Sequence, residues 1–163
     1  MFDPRTAAAE CSSSIPETRP ALVPLTFDEG TLATLAPLSG IGVPARVQCG
    51  EVAFDEAVLF THRGLSGPAI LQISSYWREG DEIALSLLPG MDVFDTLRTA
   101  RKANGRQALA TRLAELLPKR LARLVADEAG ATGTLGDSSD ALLRKVDQRV
   151  NAWRVRPSGS EGY

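Results

Sequence analysis

A single histidine, His62, and two cysteines, Cys11 and Cys49, stand among 163 residues. One imidazole excludes metal sites built on several histidines and any catalytic triad that needs a second one. Cys11 sits in a polar leader and Cys49 beside a turn, with no paired metal-ligand spacing around them, so both are read as free thiols and no metal is expected. No apolar run reaches bilayer length, and the opening MFDPRTAAAECSSS lacks the basic start and apolar core of a secretory signal. The chain therefore reads as cytoplasmic, with no membrane partner. No sign of charge dominates either: 18 Lys and Arg stand against 20 Asp and Glu, a net charge of -2. Without a large positive field to attract phosphates, the expected partners include no nucleic acid.

What is present is an ordinary globular composition, 44% hydrophobic and 23% charged, enough for a real core. Residues 1–18 are rich in Ala, Ser and Thr and read as a flexible leader. ALVPLTF at 21–27 reads as a strand, placed at an edge or a bulge by Pro24, and TLATLAPL as a short helix ending at Pro37. VPARVQCGEVAFDEAVLF alternates like two or three antiparallel strands joined by tight turns, and EIALSLLP like another strand. Between them Ile70, Ile73 and Trp77 recur at helical spacing behind Gly67-Pro68.

Beyond Pro89-Gly90 the composition turns to helix formers. Asp92 caps one helix, Leu109, Leu113 and Leu116 mark a second, Pro118 opens a third, and Ser139 or Asp140 starts a fourth bearing Leu142, Val146 and Val150. Trp153-Arg154-Val155-Arg156 then alternates like a strand that rejoins the first ones. The expected fold class is α+β: a small antiparallel β-barrel of translation-factor type, residues 19–90 and 152–163, with an inserted helical subdomain at 91–151. The two tryptophans, Phe54 and Phe60 are assigned to the core, and KRLARL at 119–124 to a solvated helix face.

The stretch LFTHRGLSGPAILQISSYW, residues 59–77, concentrates chemistry: the only His, two glycines and two hydroxyls between a strand and a helix. Gly64 and Gly67 permit close backbone approach, Thr61 and Ser66 can hydrogen-bond a substrate, and His62 can exchange a proton near neutral pH. The plainer reading stands beside it: Ser or Gly before Pro is ordinary helix capping, and a lone loop histidine more often bonds a backbone carbonyl.

RPALVPLTF at 19–27, PLSGI at 37–41, THRGLSGP at 61–68, LLPKRLARLV at 116–125 and WRVRPSGSEGY at 153–163 resemble a bacterial flavoprotein family. It is the BaiN/YhiN-like family of NAD(P)/FAD-dependent oxidoreductases, also labelled aminoacetone oxidase family FAD-binding enzymes. The resemblance implies that the chain is an inserted substrate-side or cap domain, redox-inactive alone, whose partners are the family's FAD-binding domain and a small-molecule substrate. FAD, held mainly outside this chain, and NAD(P)H as reductant are the implied cofactors. His62 is then the candidate catalytic residue, with Thr61, Gly64, Leu65, Ser66 and Gly67 facing substrate or flavin. The departures are as informative: no GxGxxG follows a strand, SGIG at 39–42 has the wrong spacing, and Ser12 and Ser13 stand where the family tends to have Gly-His. The runner-up is a small barrel module that binds a protein or an RNA.

Overall fold

A computed structural model of the chain describes residues 22–161; the leader and Cys11 lie outside the described residues. Alternation decides the sheet. In β2, Gly42–Cys49, Val43, Ala45, Val47 and Cys49 point inward while Pro44, Arg46 and Gln48 face solvent. It pairs along its full length with β3, Val52–Thr61, around the Gly50-Glu51 turn. Pro44 is tolerated because β5, Ile83–Ser86, meets β2 only at Arg46, Val47 and Gln48, so no ladder partner is lost there.

Flanking them before the helices are β1, Leu25–Thr26; α1, Glu29–Leu35, running into a 3-10 turn at Ala36–Leu38; β4, Gly64–Ser66; and α2, Pro68–Ile73. After the helices come β6, Trp153–Val155, and β7, Gly159–Ser160. The strand order is β6-β5-β2-β3-β4-β1-β7, antiparallel at every pairing. The outermost strands, β6 and β7, are joined by only three residues, 156–158, so the chain draws the two edges of the sheet together into a small barrel.

Four helices occupy the stretch between β5 and β6: α3, Val93–Ala103; α4, Leu109–Ala114; α5, Lys119–Ala129; and α6, Asp140–Asn151. Asp92 caps α3 through the Asp95 amide, and the Ser139 side chain caps α6 through the Leu142 amide. Gly130, at φ 76°, closes α5 in the left-handed conformation. The apolar stripe of α6 centres on Leu143, Val146 and Val150, all fully buried; Leu142, expected in that stripe, is half-buried. One apolar core runs from the barrel into the helices. Phe60 and Trp153 stack within it at 6.0 Å, Trp77 is buried, and Phe54 packs half-buried beside it. The barrel and helices are pinned together by Arg120, which donates to the Pro37 carbonyl at 2.8 Å, and by the Leu87 amide, which donates to the Val150 carbonyl at 2.9 Å.

The α+β class is therefore observed. Two elements went unread in the sequence, β4 within THRGLSGP and β7 within the polar tail. Elsewhere the helices and strands fall where expected but several are shorter: Trp77 and Leu116, assigned to helices, lie beyond the ends of α2 and α4, EIALSLLP is a strand only at Ile83–Ser86, and β1 is confined to Leu25–Thr26.

Candidate functional site

THRGLSGP forms a hairpin. Its tip is His62-Arg63, and the Thr61 hydroxyl oxygen accepts from the backbone amides of Arg63 at 3.3 Å and Gly64 at 3.1 Å. The hydroxyl thus closes the turn. Gly64 has φ 153° and lies so close to β1 that a Cβ would strike the Leu25 carbonyl; Gly67, at φ 91°, would place one 2.8 Å from the Ala57 carbonyl oxygen. Both glycines are required by close packing of backbone on backbone. Leu65 is buried in the core opposite Phe60, and Ser66 is half-buried opposite Leu59. His62 is exposed at the tip, and Arg63 beside it pairs with Glu161 at 3.2 Å. The fold brings Thr61, His62, Gly64, Leu65 and Ser66 together on one hairpin, with Gly67 at the following helix start. Cys49 is buried, and that burial, then Asp81, pushes its thiol above the ordinary range.

A second region has the shape of a site. A cleft of about 570 Å³ opens where α1, the end of α6 and β6 meet, lined among others by Thr31, Thr34, Arg149, Trp153, Arg154 and Arg156. A shallower depression shares Arg149, Trp153 and Arg154 and adds Lys145 and Gln148. Alternation along β6 and one step beyond it explains the lining: Trp153, Val155 and Pro157 are buried, and Arg154 and Arg156 face outward.

Arg149 differs from its neighbours. Its guanidinium lies 3.9 Å from the Trp153 ring centroid and is paired with Glu128, linking α6 to α5. Burial draws it below the ordinary arginine range while Glu128 opposes that shift. It is a fixed, compensated charge. Arg154 makes no ion pair among the described residues, and Arg156 touches only Glu82, at 3.5 Å.

Charge along the chain is strongly uneven. Residues 98–156 carry thirteen basic side chains against six acidic, whereas residues 1–97 carry five basic against thirteen acidic. The near-zero total conceals this division. Counting charge by segment would have found it.

The pattern of HI0933-like protein barrel and H2TH domains matches residues 19–163. The chain belongs to that family. The HI0933-like domain is 41% identical, over 152 residues, to the "Ribosomal RNA dihydrouridine synthase" of Escherichia coli (strain K12). It is 38% identical, also over 152 residues, to the protein of the same name from Haemophilus influenzae (strain ATCC 51907 / DSM 11121 / KW20 / Rd). These alignments cover 90% and 89% of this chain but 37% and 36% of the relatives, so the chain spans little more than a third of their length.

Both relatives are named for action on RNA, which corrects two expectations drawn from the sequence. The reading as a substrate-side cap domain of an NAD(P)H oxidoreductase with a small-molecule substrate is overturned, and so is the exclusion of nucleic acid as a partner. The physical reason for the second error is the averaging of charge: a net -2 says nothing about a helical and β6 segment that is itself basic. Among the described residues no helix is long and apolar enough to cross a membrane.

Proposed function

We propose that this chain serves dihydrouridine formation on ribosomal RNA, as the segment that engages the RNA. The observation that carries the reading is the 41% identity, over 90% of the chain, to a protein named for that reaction. The basic cleft at α6 and β6 supports it, because sequence-independent RNA affinity comes mainly from Lys and Arg at phosphates.

Converting uridine to dihydrouridine adds two electrons and two protons across the C5–C6 bond of the base, so the whole protein needs a reductant. The FAD and NAD(P)H implied by the resemblance are of the right class, but the residues of this chain do not fit a dinucleotide. The strand–Gly–helix junction at Gly67 has a six-residue helix behind it, and the space a pyrophosphate would need beside Gly67 is filled by the β3 backbone at Ala57 and Val58. Within this chain we assign the substrate-side role to the β3–β4 hairpin, where His62 stands exposed at the tip with Thr61, Gly64, Leu65, Ser66 and Gly67 holding it. In the whole protein, His62→Ala is expected to lower turnover while leaving the unfolding midpoint unchanged; unaltered turnover and RNA affinity would remove His62 from the site.

The test of the reading itself is direct binding of the purified chain to a ribosomal RNA fragment at increasing salt. The logarithm of the affinity should fall linearly with the logarithm of salt concentration. Absent binding, or binding indifferent to salt, would overturn the proposal.

A further inference from the structure

The basic charge of residues 98–156 is spread over several surfaces, and part of it is already engaged. Arg101 is held by the Ser138 carbonyl and Asp140, Arg112 by Glu115, Arg144 lies over the Phe94 ring, and Arg120 is spent on the Pro37 and Ser39 carbonyls. Arg149 is paired and walled by Trp153. Lys102, Arg106, Lys119, Arg123 and Lys145 are exposed and make no ion pair among the described residues, but they are scattered over three helices and a turn, whereas Arg154 and Arg156 lie two positions apart and line one cleft.

We propose that Arg154 and Arg156 form a phosphodiester subsite that seats two phosphates of an RNA strand running along the outer face of β6 and the linker that follows it. The inference rests on the RNA reading above and goes beyond it by saying where the backbone lies. Three observations support it. The alternation of β6 continues one step into the linker, with Trp153, Val155 and Pro157 buried and Arg154 and Arg156 exposed, so the two guanidinium groups, two positions apart, form a short row on one face instead of a single point charge. The opposite wall of the cleft supplies the Thr31 and Thr34 hydroxyls, which can donate to phosphate oxygens. Both arginines are exposed, and neither is committed to a close carboxylate.

One carboxylate faces the cleft from α1. Asp28 is occupied as the helix cap, its Oδ1 accepting from the Thr31 amide at 2.8 Å, and the bonded carboxyl is held below its ordinary range. It remains an anion, so the phosphates are directed toward the β6 side and away from the start of α1. Glu82, beside Arg156, is the other acidic neighbour, and its 3.5 Å contact is exposed enough for a phosphate to replace it.

The experiment uses the full chain and a fluorescein-labelled oligouridylate dodecamer, followed by anisotropy across a salt series. Each phosphate contact on a single strand contributes a slope of about 0.7 in log affinity against log salt. R154Q/R156Q should therefore lower the slope by about 1.4, R154K/R156K should keep it, and K119Q/R123Q, placed on exposed positions of α5, should leave it unchanged. Circular dichroism of each variant checks the fold, and the single variants R154Q and R156Q, each expected to remove about 0.7, serve if the double one does not fold. Wild-type slope in R154Q/R156Q, with loss in K119Q/R123Q, would overturn the subsite and leave the RNA reading standing. A wild-type chain that shows no salt-dependent binding would overturn the RNA reading itself.

Discussion

Asn151, the last residue of α6, holds together parts of the chain that are at least sixty positions apart. Its Oδ1 accepts from the Ser86 hydroxyl at 2.8 Å and the Leu88 amide at 3.1 Å, and its Nδ2 donates to the Met91 carbonyl at 2.9 Å. Asn151→Ala strands three polar groups in a half-buried setting and should cost about 2–3 kcal/mol, read as a lower urea midpoint. Gly67→Ala should cost about 1–3 kcal/mol for its positive φ alone, with more from the contact at the Ala57 carbonyl. Nothing in the local text around Asn151 announces its role, because its partners are the last residue of β5 and the stretch that follows it. Gly67 was legible as a conformationally special glycine, but whether a ligand or the protein's own backbone occupied the space beside it depended on the curvature of β3.

At the scale of elements, the caps were the most readable features, since each is decided within four residues. Ser139→Ala should destabilise α6 by about 1 kcal/mol, seen as a fall in thermal midpoint of a few degrees. Two carboxylates on the same helix should give opposite pH signatures. Asp140 accepts from Arg101 at 2.7 Å, and that bond holds its pKa below the unfolded value. Its stabilisation is present above the ordinary carboxylate range and disappears as pH falls through the folded pKa. Asp147 is raised, first by burial, although the Val93 and Phe94 amides oppose the shift. Ionising it penalises the folded state, so stability falls as pH rises from the ordinary value through the folded one. Urea midpoints across that interval should decline less in Asp147→Asn than in the parent. β4 and β7 escaped the sequence reading because, unlike β1 and β6, which sit in apolar or alternating text, they are built mainly from Gly and Ser beside turns, with no periodicity to detect. They exist through their partners: Leu25 pairs with Leu65 on one side and Ser160 on the other.

For the whole molecule, charge and core tell different stories. The charge is divided between an acidic first part and a basic second part, while the apolar core is continuous between them. Only Ala152 separates α6 from β6, so the helices cannot unravel without loosening Trp153 and its stack on Phe60. Tryptophan fluorescence, reporting the barrel, and far-ultraviolet circular dichroism, weighted to the helices, should therefore give coincident denaturation curves. Two separated midpoints would show that 91–151 folds as an independent unit. The β1–β7 pairing has a mechanical consequence. Leu25 lies opposite Ser160 and Thr26 opposite Gly159, so both ends of the described chain leave from the same side of a two-residue antiparallel ladder. Tension applied between them would open that ladder like a zipper, one rung at a time, with the load never shared across the rungs. The clasp that brings the barrel edges together is then also its weakest joint under load, and a steady pull on the two ends should free β7 long before it disturbs the long β2–β3 hairpin.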